Sequence, residues 1–178
     1  MEKTISFEFE NEKDNFKMVL TELCAINTTM LLPEILVDLS EDDLKKYYPN
    51  DRRPTIAKKC AERTISFSLH YSKINSENVT DDYIPNIVHI QDKSLSRVVP
   101  GYEKYNMISK SINNNDVACL LYRSYSIEHD LFNILFVFIH KEKLVQGNFA
   151  CLLDEHDIWT MFFQSCIESL EFKDDEIA

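Results

Sequence analysis

Glycine is almost missing from this chain: Gly101 and Gly147 are the whole supply in 178 residues. Loops that cradle the phosphates of nucleotides or dinucleotides need several glycines, because backbone amides must approach the phosphate closely in conformations other residues resist. Both motifs are excluded as written. Paired cysteines are missing too. Cys24, Cys60, Cys119, Cys151 and Cys166 are odd in number, widely spaced and mostly set in apolar patterns, which reads as reduced thiols packed in a core. No window approaches the apolar run that a membrane-spanning helix needs. Positive charge is scarce as well: 19 Lys and Arg stand against 30 Asp and Glu, a net charge of −11 that opposes binding to nucleic acid and to anionic membranes. The opening "MEKTISFEFENEKD" is acidic where an export signal needs a basic start and a long apolar stretch, so a cytoplasmic location is expected.

What is present describes one globular domain spanning residues 1–178, with 44% hydrophobic and 28% charged residues. In "TISFSLHYS", Ile65, Phe67, Leu69 and Tyr71 alternate with polar residues, the period of a strand buried on one face. From Thr80 the period changes. Ile84, Ile87, Val88, Leu95 and Val98 form a helical stripe, with Thr80, Asp81 and Asp82 as candidate caps and Pro85 in the first turn, where amides lack intrahelical acceptors. Four extended segments follow, at about 102–112, 117–127, 131–141 and 144–153, separated by the polar turns "NNND", "EHD" and "KEK". That is an antiparallel meander. Its third segment, "LFNILFVFI", is apolar on both faces apart from Asn133, which predicts a central strand covered on each side by helices.

The last helix is expected to start at Asp154 as N-cap, with Trp159, Phe162, Phe163, Cys166, Ile167 and Leu170 on one stripe that docks on the meander. "SEDDLKKYY" predicts a short helix capped by Ser40 and stopped before Pro49. Residues 1–28 read as an N-terminal extension of strands or helix, with strands favoured over 1–32, and 173–178 as a frayed tail.

Candidate chemistries are thin. His70, His89, His129, His140 and His156 show no ligand spacing with a third donor, and His129 and His140 at opposite ends of one strand would lie about 36 Å apart. Asp42 with Asp43, and Asp81 with Asp82, sit at helix starts, where capping and dipole complementarity explain them. No catalytic residue, metal ligand or cofactor site is assigned. Tyr102, Tyr105, Tyr122 and Tyr125 flank the first hairpin of the meander and either line a ligand cleft or serve strand packing.

One segment departs from the rest in charge. In "KKYYPNDRRPTIAKKC" and the residues just beyond, Lys45, Lys46, Arg52, Arg53, Lys58, Lys59 and Arg63 face only Asp51 and Glu62. Tyr47, Tyr48, Pro49 and Pro54 add rigid amphipathic area that orders cheaply on binding. The segment reads either as a protein-binding surface centred on Tyr47, Tyr48, Arg52, Arg53, Lys58 and Lys59, or as a solvated loop whose cations offset a helix dipole and pair with nearby acids.

The order "LLPEILVDLSEDDLKKYY", "RTISFSLHY", a helix from "DDYIPNIV", the meander and the closing "WTMFFQSCIESLEF" resembles the PsbP/DcrB-like fold family over residues 29–172. The resemblance rests on element order and amphipathic character, with "ESLEF" as its nearest local echo. It implies an α+β domain, an antiparallel, meander-rich sheet flanked by helices as an α/β/α sandwich, in proteins that mostly bind other proteins and are not enzymes. The expected function is thus a non-enzymatic cytoplasmic module of adaptor or immunity type that binds a protein with an acidic or mixed-charge surface, and neither nucleic acid nor membrane. The alternative is a small-ligand module on the concave side of the sheet, with the tyrosines and Trp159 near its cavity.

Overall fold

The computed structural model describes residues 3–9, 12–49, 53–75, 77 and 79–173, with side chains from residue 16 onward. Arg52 and the tail 174–178 fall outside the described residues. In chain order the elements are β1 (Lys3–Phe9), β2 (Glu12–Leu23), β3 (Thr28–Pro33), β4 (Val37–Asp38), α1 (Glu41–Tyr47), β5 (Ile56–Lys59), β6 (Ser66–Lys73) and α2 (Tyr83–Val98). They continue with β7 (Glu103–Ile112), β8 (Asn115–Tyr125), β9 (Asp130–His140), β10 (Lys143–Leu152), α3 (His156–Glu168) and β11 (Glu171–Phe172). The large sheet has the order β4-β5-β6-β10-β9-β8-β7, and a smaller one has the order β1-β2-β3-β11. All the pairings are antiparallel among the described residues.

The meander forms where its turn chemistry places it. Asn113 and Asn114 join β7 to β8 with φ of 47° and 62°, the left-handed pair that a two-residue hairpin turn needs and that asparagine tolerates. Lys141 and Glu142 join β9 to β10 with φ of 47° and 57°, although neither residue type favours that region. Ile74 N donates to Glu142 O at 2.9 Å, so the neighbouring strand end holds this turn in place. Replacing Lys141→Asn together with Glu142→Gly should therefore raise stability by about 0.5–1 kcal/mol in a urea titration. An unchanged or lower midpoint would show that the two side chains contribute more than their backbone strain costs.

β9 is buried on both faces. Phe132, Ile134, Phe136 and Phe138 enter one core cluster, while Val137, Leu135 and Ile139 join a second cluster beneath α2. Helices on both sides were the expected cover, and both are present, α2 over one face and α3 over the other. There α3 shares the work with the small sheet, whose Phe16, Met18, Met30 and Leu32 are buried in the same cluster as Trp159, Phe163 and Ile167. The physical reason is area: α3 is 13 residues long and spans about 20 Å, too little to cover a seven-stranded sheet.

Two helix starts differ from expectation. Asp154 lies within a 3₁₀ turn at Leu153–Glu155, and α3 opens behind Glu155, which accepts a 2.9 Å hydrogen bond from Trp159 Nε1. A buried indole N–H needs an acceptor, and that need outweighs a side-chain cap. Asp82 precedes α2 without a capping hydrogen bond, Pro85 lies in the first turn, and Val98, expected on the buried stripe, is exposed at the helix end. Ser40 does cap α1, accepting from Asp43 N at 3.1 Å.

Candidate protein-binding cleft

Antiparallel alternation brings four strand ends to one end of the large sheet. Ser66 at the start of β6 pairs with Ala150 near the end of β10, Leu152 pairs with Leu131 at the start of β9, and Asp130 pairs with Tyr125 at the end of β8. The loop entering β6 and the β8–β9 turn therefore face the same space, with the C-terminal end of α1 beside them. They enclose a solvent-open cleft of 940 Å³ lined by Lys46, Tyr47, Lys59, Arg63, Tyr125, Ile127 and His129, among others.

The acidic first turn of α1 organises the basic wall. Asp43 Oδ1 lies 3.1 Å from Lys59 Nζ; this hydrogen-bonded pairing, joined by Ser40, holds the Asp43 carboxyl below its ordinary pKa, and the same pairing holds the Lys59 ammonium above its own. Lys59 Nζ also sits 5.0 Å from the Tyr47 ring centre, and Lys46 Nζ 5.3 Å from it, so one exposed tyrosine carries two cations on its faces. The Arg63 guanidinium stands 5.5 Å from the centre of Phe16, a ring that packs on Trp159 in the core.

Across the cleft the β8–β9 turn is firmly built. Ser126 N and Ser126 Oγ both donate to His129 O at 2.8 Å, and His129 N donates back to Ser126 Oγ at 2.9 Å. Beneath it Arg123 donates to Asp130 at 2.7 Å and lies 4.7 Å from the centre of the Tyr125 ring. Tyr125 in turn rests on Gly101, whose φ of 64° and missing Cβ are both required, since a Cβ there would fall 2.3 Å from the tyrosine ring.

Of the residues singled out in the sequence, Tyr47 and Lys59 line the cleft, and Lys46 and Arg63 from the same stretch join them. Tyr48, Arg53 and Lys58 do not: Arg53 lies 3.7 Å from Glu41 and Lys58 2.8 Å from Asp38, so acids of α1 and β4 compensate those cations. Arg52 lies outside the described residues. Sequence reasoning missed Ile127. Its signal was an aliphatic side chain inside the polar turn "YSIEHD".

The other candidates disperse. Tyr102 and Tyr122 pack 5.4 Å apart beneath α2, where Tyr102 donates to Asp92 at 2.5 Å and burial pushes the Tyr122 hydroxyl up to about 12. Tyr105 stacks on Phe132 on the opposite face, and Trp159 is wholly buried among Phe16, Phe162 and Phe163. All five cysteines are free thiols. Cys119, Cys151 and Cys166 are buried, with Cys119 pushed up to about 11 by desolvation, whereas Cys24 is exposed, contrary to a core placement for all five. Among the described residues no group of three His, Cys, Asp or Glu is placed to hold a metal ion, and no helix is long and apolar enough to cross a membrane.

No known family's sequence pattern matches the chain, and no curated protein matches it in sequence. Solved structures do match. Cyanobacterial PsbP (CyanoP) from Synechocystis sp. PCC 6803 superimposes with a TM-score of 0.68 at 14% identity, over 88% of this chain and 92% of its own. LpqN of Mycobacterium tuberculosis, described as involved in cell envelope biogenesis, gives 0.58 at 10% identity over 95% and 90% of the two chains. The Saccharomyces cerevisiae Ran-binding protein Mog1p gives 0.56 at 8% identity over 88% and 95%. Identities this low speak for architecture and not for activity. The resemblance in element order is thus matched in three dimensions, and the chain has the PsbP/Mog1-like α+β fold.

Proposed function

We propose that this protein is a non-enzymatic protein-binding module of adaptor or immunity type, acting in the cytoplasm, and that the cleft between α1 and the β8–β9 turn is its contact site. One observation carries the reading: Tyr47, Tyr125 and Ile127, all exposed, surround the same cleft as Lys46, Lys59 and Arg63. Aromatic and apolar anchors beside cations are the composition of interaction hot spots. The net charge of −11 supports a protein over a nucleic acid, five free thiols suit a reducing compartment, and a Ran-binding protein of the same fold shows that the architecture is compatible with a protein partner. The open shape of the cleft favours this over a small-ligand site, which normally encloses most of its ligand.

The test is quantitative binding to a purified partner, first identified by affinity capture. Lys46→Glu with Lys59→Glu should weaken binding at least tenfold and flatten or reverse its loss with salt, since salt then screens a repulsion of the partner's acids instead of an attraction. The Lys46→Glu single variant should melt with the parent, since that side chain is exposed, whereas Lys59→Glu sets a like charge against Asp43 and should lower the melting temperature measurably. Equal affinity for parent and variant would remove the cleft from the contact site.

A further inference from the structure

Ile127 has a relative exposure of 104%, the largest among the described large apolar side chains, at the tip of a turn closed by three hydrogen bonds. An aliphatic side chain displayed on ordered backbone loses little conformational entropy when a partner covers it. Around the same cleft Tyr47 is 51% and Tyr125 46% exposed, and the cations Lys46, Lys59 and Arg63 share the lining with one carboxylate, Glu128. We infer that the cleft takes an acidic peptide segment bearing a large apolar side chain. The segment's carboxylates meet Lys46, Lys59 and Arg63, and its apolar side chain packs on Ile127 and the two tyrosine rings. This rests on the protein-binding reading and specifies the chemistry of its partner.

Charge complementarity selects this occupant. The protein as a whole repels acidic segments, but at physiological salt its distant carboxylates are screened over about 8 Å. The short-range field inside the cleft then decides, and there Lys46, Lys59 and Arg63 stand against Glu128 in the lining and Asp43 on Lys59, which leaves a positive excess. A basic segment would meet those cations directly. A nucleic acid gains affinity with the number of phosphates neutralised, and the three cations here give it little against a chain of −11. Asp43 shows the geometry already at work within the chain: a carboxylate 3.1 Å from Lys59, at the rim of the same wall.

The probe is a phage-displayed library of random dodecapeptides selected on the immobilised full chain, with the Ile127→Asp variant as counter-selection. Enriched peptides are expected to be net acidic and to contain Phe, Leu or Trp. A labelled synthetic copy should lose at least tenfold in affinity when its acids become Lys, when its apolar residue becomes Ser, or when the protein carries Ile127→Asp or Lys59→Glu. The Ile127→Asp melting curve should match the parent, since Ile127 has no burial to lose, whereas Lys59→Glu should melt lower because it faces Asp43, so binding is compared well below both transitions. Enrichment of basic or uncharged peptides, no enrichment at all, binding indifferent to Ile127→Asp, or displacement by a twelve-nucleotide DNA strand would each overturn the inference. If it falls while the purified partner still depends on Lys46 and Lys59, protein binding stands with a different segment. If that dependence is also missing, both fall.

Discussion

A chain ended at Asp154 should lose cooperative unfolding altogether. The truncation removes α3 and β11, and with them Trp159, Phe162, Phe163, Ile167 and Leu170, all buried in the larger core cluster. At about 1.5–3 kcal/mol for each large apolar side chain, the lost burial is on the order of 10 kcal/mol, comparable to the whole stability of an ordinary domain. The face of β9 and β10 that carries Phe136, Phe138 and Phe149 would also become solvent-accessible. Stacking at 4.7 Å between Phe149 and Phe163 shows how directly α3 covers it. Calorimetry is the measurement: the truncated chain should show no sharp transition and should bind a hydrophobic dye. A sharp melt close to the parent temperature would mean that the small sheet alone closes the core. In the full chain, Trp159→Ala should cost about 3–5 kcal/mol, since the surrounding rings cannot fill the space an indole leaves.

Gly147→Ala should be severe for a change of one methyl group. Gly147 lies opposite Phe136 across β10 and β9, and an added Cβ would stand 2.1 Å from Phe136 Cζ and 2.3 Å from Cε1. The ring cannot swing away, because Phe67, Phe138 and Phe149 pack around it at centroid distances of 6.5, 6.3 and 5.9 Å. Alanine in a strand ordinarily gains about 0.5–1 kcal/mol over glycine. Overpacking a closed aromatic core costs about 3 kcal/mol and wins. Urea unfolding of Gly147→Ala, Phe136→Leu and the double variant resolves the cause. The double variant should be more stable than the sum of the single losses predicts, because the smaller side chain makes room for the methyl group. Strict additivity, or a single loss below about 0.5 kcal/mol, would mean that the strand shifts to accommodate alanine, against the usual rigidity of packed interiors.

The basic stretch shows how far charge counting reaches. Seven cations within nineteen residues made residues 45–63 conspicuous in an acidic chain. The structure divides them. Asp38, Glu41, Asp42 and Asp43 stand against Lys58, Arg53, Lys45 and Lys59, while Lys46, Lys59 and Arg63 look into the cleft. Lys59 belongs to both sets, which makes Asp43 the natural competitor of an incoming carboxylate. The solvated-loop alternative thus describes the cations paired with Asp38, Glu41 and Asp42, the binding-surface alternative is the proposal made for those in the cleft, and local net charge could not apportion them.

The meander, β6, α1, α2 and α3 were legible because their signals are local. Alternation in "TISFSLHYS", the asparagine turn at Asn113 and Asn114, the Ser40 cap and the aromatic stripe from Trp159 each act within about ten residues, the range over which backbone sterics and side-chain periodicity operate. The sequence by itself therefore determined the identity of these elements and the double burial of β9. Only the tertiary structure decided the rest. The small sheet joins Thr28 and Thr29 to Phe172 and Glu171 across almost the whole chain, and no local pattern announces a partner so distant. The cleft arises because β6 pairs with β10 and not with its sequence neighbour β7, which sets the loop carrying Arg63 opposite the turn carrying Ile127. Non-local pairing is chosen by the total area the assembled sheets bury, a property of the whole chain that no window of it contains.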